Sequence, residues 1–147
     1  MTLSQELRIA AVAIAAVVFT LTMASAETVS YRANLTANAE IPPTTSSATG
    51  TLGATFDLAT EKLSWIITYS GLTGPATMAH FHGAAKEGKA APVMVPIKGD
   101  LASPITGEAK LTADQTKALR DGEMYFNIHT AANVAGEIRG QMVLLAR

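Results

Sequence analysis

Alternation of apolar and polar residues is the feature of this sequence that most limits its fold. It has a period of two, as in Val29, Tyr31, Ala33 and Leu35, which polar side chains separate. Successive side chains of a β-strand point to opposite faces, so this period is typical of a strand with one buried face. The sequence therefore predicts a protein built from strands that each turn one side towards a core.

The same pattern recurs along the chain, with turn-forming residues between the apolar runs. It predicts strands at residues 29–35, 52–58, 63–69, 77–82, 93–97, 105–111, 124–128 and 138–144. One short helix interrupts the series, because Thr112 and Gln115 match a capping box and Gly122 is a typical helix stop. We predict an all-β fold, an antiparallel immunoglobulin-like β-sandwich or barrel of seven or eight strands with one short helix.

The first 26 residues have the pattern of an export signal. Arg8 precedes an uncharged apolar run at residues 9–21, and Ala24, Ser25 and Ala26 follow it as a cleavage motif. We interpret residues 1–26 as a signal peptide and residues 27–147 as one domain, secreted or periplasmic and free of the membrane after cleavage. An uncleaved membrane anchor is the alternative, although the run is short for a ~30 Å hydrocarbon layer.

Composition narrows the classes of function. The 147 residues include 11 basic and 12 acidic side chains, so the chain lacks the basic field of a nucleic-acid-binding protein. Cysteine is absent, which excludes disulfides, a cysteine nucleophile and thiolate metal ligands. Common phosphate-binding and hydrolase motifs are also missing, so we expect binding rather than catalysis.

Four short motifs follow one another in a fixed order. They are Glu40-Ile41-Pro42-Pro43, Ala79-His80-Phe81-His82-Gly83, Tyr125-Phe126-Asn127-Ile128-His129-Thr130 and Gly136-Glu137-Ile138-Arg139-Gly140-Gln141. With these motifs, residues 29–145 resemble the CHRD (chordin-type) domain, in its single-domain bacterial secreted type. The resemblance implies an exported immunoglobulin-like sandwich or barrel without established enzymatic activity.

All three histidines lie in these motifs. His80 and His82 share one face of a predicted strand, and His129 lies on the polar face of another. Since larger apolar residues should take the core side, we expect the three imidazoles to point away from the core. If the two strands are neighbours, the rings converge on one outer surface.

Three converging imidazoles form a donor set that zinc and copper both accept, with Zn–N bonds of about 2.0–2.1 Å. The simpler interpretation gives the histidines structural hydrogen bonds only. Glu123 or Glu137 could supply an oxygen ligand or orient a ring from outside the metal's own ligands. Asn127 could hold an imidazole tautomer, or it could form a hydrogen bond at the strand edge instead.

Two functions therefore remain open. The first is an exported CHRD-like interaction module without catalytic activity, whose partner is an unidentified protein or envelope component. The second is a copper- or zinc-binding protein that uses a three-histidine surface site at His80, His82 and His129. A redox or hydrolytic enzyme would require that metal first.

Overall fold

A computed structural model describes residues 27–146, so the predicted signal peptide lies outside the described residues. Within them the chain forms nine strands, one α-helix, α1 (Ala113–Arg120), and a single 3-10 turn at Ala37–Ala39. The strands are β1 (Thr28–Thr36), β2 (Thr49–Asp57), β3 (Lys62–Ser70), β4 (Ala76–His82), β5 (Val93–Pro96), β6 (Ile105–Lys110), β7 (Tyr125–Thr130), β8 (Ile138–Gln141) and β9 (Val143–Ala146).

All strands pair antiparallel in one sheet that curls into a nearly closed barrel. The order is β5-β4-β7-β8-β1-β2-β3-β6, and β9 pairs with β1 beside β8. The predicted all-β fold with one short helix is confirmed.

The strand count is nine because the last predicted strand is divided at Met142. The Met142 N–H leaves the ladder and donates to the Met124 carbonyl oxygen at 2.9 Å. Its side chain is fully buried. The sequence pattern of period two runs across this break and does not reveal it, although Val143 and Leu144 are both about half exposed in the structure.

The core fills the interior of the barrel, on the side predicted from the alternation. Every strand from β1 to β8 except β5 places at least one residue there at 6% exposure or less, and β5 adds Val95. The largest fully buried side chains are Phe56, Phe81, Phe126, Leu35, Leu52, Leu63, Ile67, Ile105, Leu119, Met124, Ile128 and Ile138.

Helix α1 begins and ends as its sequence predicts. The Gln115 N–H donates to Thr112 Oγ1, and the Thr112 N–H donates back to the Gln115 side chain, which completes the capping box. Gly122 follows the helix with a φ of 70°, which only glycine adopts readily. None of the helices within residues 27–146 combines the length and apolar character that a membrane crossing requires.

Strands β4, β7 and β8 are neighbours in the sheet, which decides where the motif residues meet. His80 of β4 lies opposite Asn127 of β7, and Asn127 lies opposite Arg139 of β8. Met78 lies opposite His129 in the adjoining row. The two histidine-bearing segments, far apart in sequence, are therefore side by side, and their shared polar face points away from the barrel core.

A buried three-histidine cluster as the candidate functional site

The three histidines converge as the strand alternation predicts. His80 Nδ1 lies 3.1 Å from His129 Nε2, and one nitrogen from each ring lies within 4.8 Å of the others. The centroid of the His80 ring is 4.9 Å from that of His129 and 5.5 Å from that of His82. The pairing of β4 with β7 is what places the three rings side by side on the outer face of the sheet.

The cluster is covered rather than exposed, which corrects the expectation of a surface site. His82 and His129 are only 9% and 6% exposed, and His80 is half-buried. Loop residues 83–92 bond to the outer face through Ala91, and residues 131–137 do so through Val134. Two loops thus form a second layer above the sheet, and His80 is the ring that remains accessible.

Main-chain carbonyl groups orient the two buried rings. The Nδ1 atom of His82 lies 2.9 Å from the Ala91 oxygen, and that of His129 lies 2.8 Å from the Val134 oxygen. A carbonyl oxygen only accepts, so each ring donates its Nδ1–H there. The Nε2 atoms of both rings are consequently directed into the cluster.

Burial favours the neutral forms of His80 and His82. It lowers the pKa of His80, and the nearby His129 and His82 rings lower it further. Burial also lowers the pKa of His82, although hydrogen bonds with Ala91 and Asn127 oppose that shift. Neutral imidazoles retain a lone pair on one nitrogen, which is the form that binds a metal ion.

A stack of three planar groups supports His82. The Tyr125 ring lies parallel to the His82 ring, with an interplanar angle of 3° and centroids 4.7 Å apart. The Arg139 guanidinium lies 3.4 Å from the Tyr125 centroid and donates to the Lys89 carbonyl oxygen at 2.6 Å. Because Arg139 is 3% exposed, its stacking with the aromatic ring occurs away from water, where it is strongest.

Asn127 connects the histidines to a buried carboxylate. Its Oδ1 lies 3.0 Å from the Nε2 atoms of both His82 and His129. Its amide nitrogen and the Glu40 carboxylate lie on the same side, against Gly136. Burial raises the pKa of Glu40, while the positive charge of Arg139 opposes the rise.

The donor atoms could hold a transition-metal ion if their spread of up to 4.8 Å closed around it. Tetrahedral zinc with Zn–N bonds of 2.0–2.1 Å separates its ligand atoms by about 3.3 Å, close to the 3.1 Å between His80 and His129. Imidazole nitrogens suit both zinc and copper. The two buried rings also show the Nδ1–H to carbonyl bond that typically orients metal-binding histidines.

Comparison with protein families matches residues 31–142 to the CHRD domain. The chain belongs to the CHRD domain family. No significant match appears among curated proteins or among solved structures. The four motifs that suggested this family all supply residues to the outer face of β4, β7 and β8 or to its loops.

Glu137, a predicted outer partner of the histidines, lies in a separate cluster of this CHRD domain. Its carboxylate accepts hydrogen bonds of 2.5–3.1 Å from side chains of Ser46, Thr73, Thr130 and Asn133, and from the Thr73 N–H. Burial opposes its ionisation, yet these hydrogen bonds together lower the pKa of Glu137 to about 2. The carboxylate thus joins three loops to β7.

The other two predicted partners of the histidines are Asn127 and Glu123, and they lie in different places. Asn127 contacts two of the three rings, as expected. Glu123 lies just before β7, where its main chain bonds to Ala85 and Ala118. Sequence reasoning missed Glu40 as a neighbour of the site, because a Pro-flanked glutamate before a loop also fits a rigid turn. Arg139 is a further buried neighbour, and its guanidinium donates to the Lys89 carbonyl oxygen in the loop at residues 83–92.

Proposed function

We propose that this CHRD domain is an exported interaction module without catalytic activity. Family membership supports binding over catalysis. The observation that carries the proposal is a groove of about 420 Å³ between residues 40–45 and 132–136. Ile41 and Val134, on its two sides, are 41% and 68% exposed. Since the single charged residue of the lining, Glu40, is buried, the groove fits a partner protein that offers an apolar side chain.

Capture experiments test this groove directly. The tagged protein is used to retrieve partners from envelope and extracellular fractions, beside an Ile41→Ser, Val134→Ser double variant. Ile66→Ser is the matched control, since Ile66 is 53% exposed on β3, away from the groove. We expect a partner that the wild type and the control retain and the double variant loses. Absence of a partner, or equal capture by all three proteins, contradicts the proposal.

Export is the other part of this proposal and depends on residues 1–26. The mass of the protein recovered from outside the cytoplasm gives its N-terminus. We expect a mature chain that begins at Glu27. A product that retains the apolar run at residues 9–21 contradicts cleavage and supports an anchor.

A second candidate function is metal binding at His80, His82 and His129. The specific observation in its favour is that three imidazole nitrogens lie within 4.8 Å of one another. Calorimetry with Zn(II) and Cu(II) on the wild type and on His82→Ala is the test. We expect binding of one ion per chain that the variant loses, whereas no binding, or equal binding by both proteins, removes this function.

A further inference from the structure

The position of Asn127 extends the metal site beyond the histidines. Its side chain is 3% exposed and lies in the middle strand of the three that carry the motifs. Its Oδ1 is 3.0 Å from His82 Nε2 and 3.0 Å from His129 Nε2. The oxygen therefore lies beside the two nitrogens that the loops direct into the cluster.

Glu40 determines which end of the Asn127 amide faces the imidazoles. The amide nitrogen lies on the Glu40 side, since a Cβ atom on Gly136 would meet Glu40 Oε1 and lie 2.8 Å from Asn127 Nδ2. Reversing the amide would bring its oxygen against the carboxylate, so Oδ1 stays on the imidazole side.

Counting hydrogen atoms reveals a mismatch in the cluster. A neutral imidazole has one N–H, and in His82 and His129 it is used at Nδ1 by a carbonyl oxygen. The Nε2 lone pair of each ring then faces the lone pairs of Asn127 Oδ1 at 3.0 Å. His80 Nδ1 can donate to His129 Nε2 at 3.1 Å. The contact between His82 Nε2 and Asn127 Oδ1 still pairs two acceptors, which is unfavourable in a buried site.

Adding a proton to His82 does not resolve this mismatch well. It would place a second positive charge near the buried Arg139 guanidinium, whose charge already acts on His82. A single cation between Oδ1 and the nitrogens makes every one of these lone pairs a ligand. To reach the ~3.3 Å of a tetrahedral zinc site, the distances of 3.0–3.1 Å must open by a few tenths of an ångström, and the three imidazole nitrogens, which spread over up to 4.8 Å, must move closer together.

We propose that Asn127 Oδ1 is the fourth ligand of a Zn²⁺ ion held by His80, His82 and His129, with Glu40 as the residue that positions the amide. This inference rests on the metal-binding function proposed above. Three imidazoles and an amide carry no net charge, so the Glu40 carboxylate behind the amide supplies the anion. Four neutral nitrogen and oxygen donors suit Zn²⁺ better than Cu⁺, which prefers sulfur.

Zinc affinity, measured by competition with a chromophoric chelator, tests the fourth ligand. We expect Asn127→Ala to weaken Zn²⁺ binding by about 10- to 100-fold. Asn133→Ala is the matched control, because Asn133 bonds to Glu137 and Thr73 instead of the imidazoles, and it should bind like the wild type. Glu40→Gln should weaken binding by about tenfold while keeping the oxygen ligand.

The outcomes distinguish a failure of the fourth ligand from a failure of metal binding itself. If the wild type does not bind Zn²⁺, or His82→Ala binds it equally, metal binding itself fails. If the wild type binds and His82→Ala does not, but Asn127→Ala matches Asn133→Ala, only the fourth ligand is overturned.

A spectroscopic variant covers the case in which Asn127→Ala does not fold. Asn127→Asp retains an oxygen at the same place but makes it a charged ligand. With Co²⁺ in place of Zn²⁺, we expect the visible d–d bands of a four-coordinate ion in the wild type and shifted bands in this variant. Identical spectra would mean that residue 127 does not contact the ion.

Discussion

The outer face of the barrel is exposed to water over β2 and β3 but is covered by loops over β4, β7 and β8. In β2 and β3 inward residues are buried and the outward ones, such as Thr51, Thr55 and Ile66, are exposed. In β7 all six residues are buried, and three of them, Tyr125, Asn127 and His129, point outward. The same sheet therefore has one layer on one side of the molecule and two layers on the other.

This difference in burial identifies the part of the molecule whose structure goes beyond what a stable core requires. A stable barrel needs only its inner face buried, since outward polar residues bond to water at little cost. Over β4, β7 and β8 the chain instead covers polar side chains, each of which must then find a partner inside the protein. The loops that provide those partners come from the family motifs or lie beside them, so this second layer is built around the polar cluster.

The largest expected effect concerns the core that both halves share. Phe126→Ala removes a fully buried ring that lies 4.9 Å from Phe81, so we expect unfolding to become about 3–5 kcal/mol easier. Leu52→Ala in β2 should cost about 2–5 kcal/mol for the same reason. Urea denaturation measures both, and a transition in two steps would show that the halves unfold separately.

The next effect is specific to the covered half and depends on pH. The pKa of Glu137 is about 2 when folded, against an ordinary value of 4.5. A carboxyl with a depressed pKa stabilises the folded state above its unfolded pKa, and that stabilisation is lost as pH falls through the folded value. For Glu137 this corresponds to about 3 kcal/mol at pH 7, lost between about pH 4.5 and 2.

Glu137→Gln therefore gives a pH-dependent difference. We expect the variant to be about 3 kcal/mol less stable than the wild type at pH 7, with the gap closing as pH approaches 2. Urea midpoints at several pH values provide the measurement. A gap that stays constant with pH would mean that the hydrogen bonds, and not the charge, account for the stabilisation.

The sequence predicted the one-layer half more completely than the two-layer half. Periodicity located β1, β2 and β3 because their outward residues meet water and the inward ones do not. It also placed the three histidines on one polar face. It could not show that loops bury this face, because burial of Arg139 and Glu137 depends on contacts with Lys89, Ser46 and Thr73, far away in sequence.

A smaller effect is expected from Arg139→Lys. Lysine retains the charge but lacks the planar group that stacks on Tyr125 and donates to Lys89. We expect a loss of about 1–2 kcal/mol in unfolding free energy. An unchanged stability would indicate that charge alone matters at this position, and that the stack does not hold His82.

The smallest effect is expected on the exposed half, from Thr68→Ala. Its hydroxyl group bonds to Thr51 across β2 and β3 at 2.9 Å, but both side chains face water, which replaces the lost bond. We expect a change within about 0.5 kcal/mol. The matched removal in the covered half is Thr130→Ala, whose hydroxyl donates to the buried Glu137 carboxylate at 2.5 Å and should cost about 1.5–3 kcal/mol. Equal losses of unfolding free energy for the two threonine variants would show that covering the outer face does not strengthen its hydrogen bonds.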